Sequence, residues 1–165
     1  MAQAEMTLST PIGAVLHVRV ADGEIVGSEF RRSANRPKAD SGQHDDTRRL
    51  RDPVLREAKA QITAYFRKRL RRFDLPLALH GTPLQIAVWS LVAQLETGEL
   101  ISYSDLARAI GAPRAHRGVA AAMVRTPYDL LIPAHRVIGA DGTVRGAGPN
   151  SLRRRLLAFE GIRLR

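Results

Sequence analysis

The residue types able to do covalent chemistry are few, and their pattern excludes more than it permits. The 165-residue chain has no cysteine, which removes disulfides, thiolate nucleophiles and thiolate zinc sites at once. Its five histidines are scattered, with no paired spacing that would hold a metal, so neither a metal nor a cofactor is expected. What stands out is positive charge. Lysine and arginine number 26 against 16 acidic residues, for a formal net charge of +10. On a small protein that charge favours polyanions. Nucleic acid fits best. A membrane fits poorly, since no apolar run approaches the ~20 residues of a spanning helix. The opening MAQAEMTLST has neither the basic start nor the apolar core of a secretory signal, and the expected location is cytoplasmic, associated with the nucleoid.

Several elements must position these residues. Apolar types make up 44% of the chain, enough for a packed core. Residues 6–30 read as strands separated by turns at Thr10-Pro11-Ile12-Gly13 and Ala21-Asp22-Gly23. Residues 31–50 are almost free of large apolar side chains and read as a mobile surface loop. From Pro53 to Arg72 apolar residues recur at helical spacing (Val54, Leu55, Ala58, Ile62, Tyr65, Phe66, Leu70), and the helix ends in the basic run Arg67-Lys68-Arg69 and Arg71-Arg72. A solvated helix end is favoured for that run over a DNA contact. Residues 73–81 read as an extended connector. Thr82-Pro83-Leu84-Gln85 then has a capping threonine, a proline at the first helical position and a glutamine three residues after the cap, opening a helix that runs to a stop at Gly98. A short helix over 102–110, a turn at Gly111-Ala112-Pro113 and a second helix from Arg114 to about Val124 form a helix-turn-helix pattern carrying Arg114, His116 and Arg117. Val137 to Val144, with Ala140-Asp141-Gly142 at its centre, reads as a β-hairpin or wing. Asn150 or Ser151 caps a last helix through Phe159, which stops at Gly161.

Between the helical hairpin and the wing lies Ile132-Pro133-Ala134-His135-Arg136-Val137. It resembles the Pro-Cys-His-Arg-Val active-site signature of the O6-alkylguanine-DNA alkyltransferase family, with alanine at the cysteine position. Gly81-Thr82-Pro83 with Val88-Trp89, Ile101-Ser102-Tyr103 with the helix through Arg117, and Leu156-Leu157-Ala158-Phe159-Glu160-Gly161 are similar to further ordered parts of that family. The strong resemblance covers about residues 81–161. It implies an α+β fold: a small domain of antiparallel sheet plus helix over 1–80, then a mostly helical winged helix-turn-helix DNA-binding domain over 81–165.

The resemblance also implies residue roles. Such proteins rotate an alkylated guanine out of the duplex, and a thiolate accepts the alkyl group after a histidine, linked to a glutamate, removes its proton. His135 and Glu160 match that histidine and glutamate, while Ala134 replaces the acceptor, so the site is vestigial and no catalytic residue is assigned. Tyr103 matches the tyrosine that crowds the DNA backbone, Arg117 the arginine finger that fills the vacated stack, and Arg114 is assigned to the phosphate backbone. Met123, Thr126, Pro133, Ala134, Val137, Ala147 and Gly148 are the expected walls of the alkylguanine pocket. Arg136 matches an architectural residue. Two departures accompany the missing sulfur: Thr126 stands where the family has asparagine, and Ala147 where it has tyrosine.

The leading expectation is therefore a monomeric, non-enzymatic DNA-repair protein. It would bind double-stranded DNA containing O6-alkylguanine, flip the lesion and pass it to nucleotide excision repair proteins. Other readings stay open: a catalytically dead winged-helix protein without lesion specificity, an enzyme reusing His135 and Glu160, or an inactivated Cys→Ala form of a methyltransferase.

Overall fold

The computed structural model describes residues 3–32, 51–144 and 151–163. The fold is α+β, as the resemblance implied, and the chain divides into two compact units, Met1–Ala78 and Leu79–Arg165.

In the first unit three antiparallel strands follow one another, β1 (Gln3–Ser9), β2 (Ala14–Ala21) and β3 (Glu24–Arg32). The turns fall at the residues suited to them: Asp22, Gly23 and Gly13 all have positive φ. Leu16, Val18 and Val20 alternate onto one face of β2 and are almost fully buried. The register slips between Arg19 and Val20, which pair with Gly27 and Ile25 respectively. Val26 is thereby bulged out and exposed, and the inward face of β3 passes from Ile25 to Ser28. Helix α1 (Pro53–Phe66) starts where Asp52 accepts hydrogen bonds from the Val54 and Leu55 amides at 2.8 and 3.1 Å. It buries Leu55, Ala58, Ile62 and Tyr65 against β1 and β2.

This helix is shorter than its apolar periodicity suggests. It stops at Phe66 rather than Arg72, because Lys68 turns into the left-handed region at φ 59. The Lys68 amide then donates to Tyr65 O at 2.9 Å and the Arg69 amide to Ala64 O at 2.9 Å, the paired bonds that close a helix C-terminus. Beyond it Phe73 packs on Tyr65, with ring centroids 5.5 Å apart. Gln61 holds the Asp74 backbone through both its amide groups, and Leu77 bridges to Ile25.

The second unit opens with α2 (Pro83–Ala93), whose capping box is formed as the sequence indicates: the Gln85 amide donates to Thr82 Oγ1 at 3.1 Å and the Thr82 amide to Gln85 Oε1 at 3.0 Å. A side chain at Gly81 would strike Gln85 and Trp89. Ser102 caps α3 (Tyr103–Ala109) by accepting from the Asp105 amide at 3.0 Å. Gly111, at φ 78, ends α3, the Gly111 amide donating to Arg108 O and the Ala112 amide to Ala107 O. Helix α4 (His116–Val124) follows and packs on α2 and α3. Gly118 allows that approach, since a Cβ there would lie 2.8 Å from Leu84. Trp89 pins α2 to α4 by donating its indole N–H to Ala122 O at 2.9 Å.

Three expectations for this unit are corrected. Helix α2 ends at Ala93 with Gln94 as its C-cap, short of the expected stop at Gly98. Helix α4 begins at His116, not Arg114: the Ala115 amide bonds Ala112 O in a turn, and the first helical bond runs from the Val119 amide to Ala115 O. Arg114 thus lies in the turn. The segment 137–144 is also not a hairpin ladder. Val137–Ile138 (β5) pairs in parallel with Ile101–Ser102 (β4). The Ala140-Asp141-Gly142 turn does form, with the Gly139 amide bonded to Thr143 O at 2.8 Å and Asp141 Oδ1 accepting from Thr143. The chain closes with α5 (Leu152–Phe159), capped by Ser151. Of the loop expected over 31–50, Arg31 and Arg32 belong instead to β3, and residues 33–50 lie outside the described residues, as does the alternative cap Asn150.

Because Trp89 is buried and its N–H is bonded, Trp89→Phe is expected to lower unfolding free energy by about 1–3 kcal/mol. A urea midpoint unchanged from that of the unaltered protein would show that this bond does not hold α2 on α4.

Candidate functional site

The site is built around one carboxylate. Glu160 is the C-cap residue of α5. Gly161, at φ 83, fixes it there: the Gly161 amide donates to Ala158 O at 3.0 Å and the Ile162 amide to Leu157 O at 2.8 Å. A negative group at this end opposes the helix dipole, and the Glu160 side chain has no solvent exposure. Both penalties are met by two consecutive side chains of a short 3-10 turn, Ala134–Arg136. His135 Nε2 lies 3.0 Å from Glu160 Oε1. Arg136 Nε donates to Oε1 and Oε2 at 3.0 and 3.3 Å, and Arg136 Nη2 donates to Oε1 as well.

The rest of the Arg136 guanidinium reaches the chain that leaves α2. Nη1 donates to Leu95 O at 2.7 Å and Nη2 to Thr97 Oγ1 at 3.3 Å. Arg136 is 2% exposed, so the planar fork, buried and anchored on four oxygens, acts as a rigid bracket.

These contacts set the protonation states. Burial would raise the Glu160 carboxyl, but the hydrogen bonds from His135 and Arg136 outweigh it and lower the group from 4.5 to about 2. Burial pushes His135 below its ordinary 6.5, against the opposing pull of Glu160, and the charges of Arg136 and Arg153 add to the lowering. At neutral pH Glu160 is therefore an anion that can only accept, and His135 is a neutral ring. Nε2 must carry the proton and donate it to Glu160, which leaves the Nδ1 lone pair able to take a proton. The arrangement is that of an oriented general base.

The residue that precedes it offers no group to activate. Ala134, half-buried, occupies the first position of the turn, its amide bonded to Ile132 O at 2.8 Å. Its side chain is a methyl group, and the chain contains no thiol. Pro133, Met123 and Val137 are buried. Thr126 is half-buried, and its hydroxyl donates to Met123 O at 2.8 Å, so it finishes α4. Ala147 and Gly148 lie outside the described residues. On the helical hairpin Tyr103 is the first residue of α3 and 9% exposed. Arg117 is exposed in the first turn of α4, and Arg114 is exposed in the turn before it. Two contributors carry no sequence signal. Thr97 is one of many threonines, and Leu130, buried at φ 68 just before the signature, holds a conformation that leucine rarely adopts.

The comparisons with known proteins converge. Residues 83–162 match the 6-O-methylguanine DNA methyltransferase, DNA binding domain family. A methylated-DNA–protein-cysteine methyltransferase of Methanosarcina barkeri is 43% identical over 112 residues, which is 67% of this chain and 71% of that protein. The chain belongs to the methylated-DNA–protein-cysteine methyltransferase family. The constitutive member from Bacillus subtilis is 40% identical over 101 residues, 61% of each chain. The crystal structure of Mycobacterium tuberculosis O6-methylguanine methyltransferase aligns over 96% of this chain and 93% of its own, with a TM-score of 0.75 and 30% identity. Mycobacterium tuberculosis OGT in complex with DNA aligns over 95% and 92%, with a TM-score of 0.72 and 32% identity. These relatives are named for a cysteine or for methyl transfer; this member has no cysteine.

The linkage has a definite sign. Glu160, lowered on folding, stabilises the native state fully above 4.5, and that contribution is lost as pH falls toward 2. His135, also lowered, resists a proton that the unfolded chain takes up below 6.5, so stability declines from there downward as well. Glu160→Gln is expected to cost roughly 3–5 kcal/mol near neutral pH, since it strands the buried Arg136. It should also flatten the fall between about pH 5 and 3. Urea unfolding across pH reads both effects, and a variant as stable as the parent near neutrality would contradict this picture.

Proposed function

We propose that this family member is a non-catalytic DNA-repair protein that binds double-stranded DNA, recognises O6-alkylguanine by rotating it out of the stack, and transfers no alkyl group. The observation that carries the reading is the retained His135–Glu160 pair at 3.0 Å beside Ala134, in a chain without cysteine. Alkyl transfer needs a sulfur whose bond to carbon forms as the carbon–oxygen bond of the lesion breaks, with the thiol proton going to His135 Nδ1 and the guanine carrying off the bonding electrons. A methyl group has neither lone pair nor acidic proton, so recognition can proceed while chemistry cannot.

DNA binding is supported by the matched DNA-binding-domain family, by the structural likeness to an OGT–DNA complex and by the charge of +10. In this reading Arg114 contacts phosphates, Arg117 supports the flipped state and Tyr103 crowds the backbone. Met123, Thr126, Pro133, Ala134, Val137, Ala147 and Gly148 line the space for the base. The burial of Met123, Val137 and Tyr103 favours a second reading, in which these residues are core and the protein is a winged-helix DNA binder without lesion preference.

Ala134→Cys separates the two. A thiol there gains a neutral histidine with a free Nδ1, and a presented lesion would meet it at short range. Slow transfer of a labelled methyl group from O6-methylguanine DNA is expected. Ala147 offers no hydroxyl to the leaving oxygen, and loss of one such donor costs about 10²–10³ in rate; Ala147→Tyr in the same protein should recover part of it. An Ala134→Cys, Ala147→Tyr protein that binds lesion DNA yet accepts no methyl group would favour the second reading.

A further inference from the structure

The basic turn after α1 starts at the C-cap residue Arg67 and runs on past the end of the helix. Arg67, Lys68, Arg69, Arg71 and Arg72 are all exposed, and none lies in the last turn of α1. The carbonyls there are closed by the backbone bonds from Lys68 and Arg69. The same closure ends α3 and α5, where glycine takes the left-handed position: Gly111 at φ 78 and Gly161 at φ 83. At the end of α1 a lysine takes it, at φ 59. Glycine is the residue that adopts this conformation without penalty. Position 68 thus carries an exposed lysine where the backbone conformation favours glycine.

The charge distribution points the same way. Residues 1–78 carry 15 basic and 10 acidic side chains, and five of the basic ones fall within 67–72; the remainder is balanced at ten of each. The whole formal excess of this unit thus sits on one six-residue turn. Such a concentration of like charge is unfavourable in itself and is relieved by a polyanion.

We propose that the 67–72 turn is a second DNA contact, a clamp on the phosphate backbone that is indifferent to sequence and to damage. Duplex DNA is the partner that fits, because the second unit of the same chain belongs to a DNA-binding family. A phosphate-binding turn on the same chain then acts at high effective concentration. A lipid surface fits less well: the two apolar residues of the segment, Leu70 and Phe73, are half-buried, with Phe73 packed on Tyr65, so no apolar anchor is offered. The inference rests on DNA binding by the chain but not on lesion recognition.

The test uses the full chain and an undamaged labelled duplex titrated over a range of salt. Arg67→Gln with Arg69→Gln removes two exposed charges beyond the end of α1. Arg51→Gln with Arg56→Gln removes two exposed charges near its start, and serves as the matched control for general electrostatics. The first pair should reduce the salt slope by roughly 2 and weaken low-salt binding at least about tenfold, the loss of two released counterions. The control pair should do much less. The ratio of affinities for damaged and undamaged duplexes should not move for either pair. Far-ultraviolet circular dichroism confirms folding, and Arg67→Glu with Arg69→Glu should deepen the loss. Equal losses in both pairs would reduce the turn to its share of net charge and overturn the proposal, as would undiminished binding by the first pair. Undiminished DNA binding together with lost binding to anionic phospholipid vesicles would assign the turn to a membrane instead. No duplex binding by the unaltered chain would overturn this proposal and the proposed function together; failure of the first pair alone leaves the latter standing.

Discussion

The second unit is organised around a carboxylate placed where a carboxylate is hardest to hold. Glu160 is removed from water at the negative end of a helix dipole, and it stays ionised only because His135 and Arg136 both reach it. That requirement propagates outward. The two donors must be consecutive, so the signature folds into a tight 3-10 turn. Arg136, buried by the same contact, must satisfy its remaining N–H groups on Leu95 O and Thr97. The end of α2, the signature turn and the end of α5 are thereby tied to one ion cluster. Removing one charge from it leaves another buried and unpaired, at a cost of about 3–5 kcal/mol.

The missing sulfur is not part of that cluster. Ala134 contributes its backbone to the turn, and its side chain takes no part in the hydrogen bonds that hold Glu160 and Arg136. A change at this position therefore disturbs the reaction and not the scaffold: fold and base geometry persist in a chain that has lost the acceptor. This separation explains how a family member can keep a histidine oriented by a buried carboxylate in a chain without a thiol.

The sequence made the cap-defined elements legible because each cap is a local interaction with its own residue signature. Thr82, Pro83 and Gln85 announce α2, Ser151 is one of two caps the sequence offers for α5, and Gly111 and Gly161 mark ends that only positive φ can close. The family resemblance singled out His135 and Glu160, 25 residues apart in sequence. Three features stayed hidden because nothing local encodes them. Apolar periodicity continues through Leu70, yet Lys68 breaks α1 in a conformation unusual for lysine. Arg114 looks helical by composition, but the turn around Pro113 uses it first. Val137–Ile138 resembles half of a hairpin, whereas its partner is Ile101–Ser102, brought alongside by the packing of the helices between them. Buried Leu130, at φ 68, is a further feature without a local signal.

The central claim is that recognition outlives chemistry in this protein. The most direct measurement is a competition titration of the unaltered chain with two duplexes of identical sequence, one with a single O6-methylguanine and the other with guanine. Extruding a base costs on the order of a few kcal/mol, and less for a weakly paired base than for a fully paired one. The account predicts preferential binding of the damaged duplex by about tenfold or more, with no methyl group carried over to the protein. Equal affinity for the two duplexes would contradict it and leave a DNA-binding scaffold with a filled pocket.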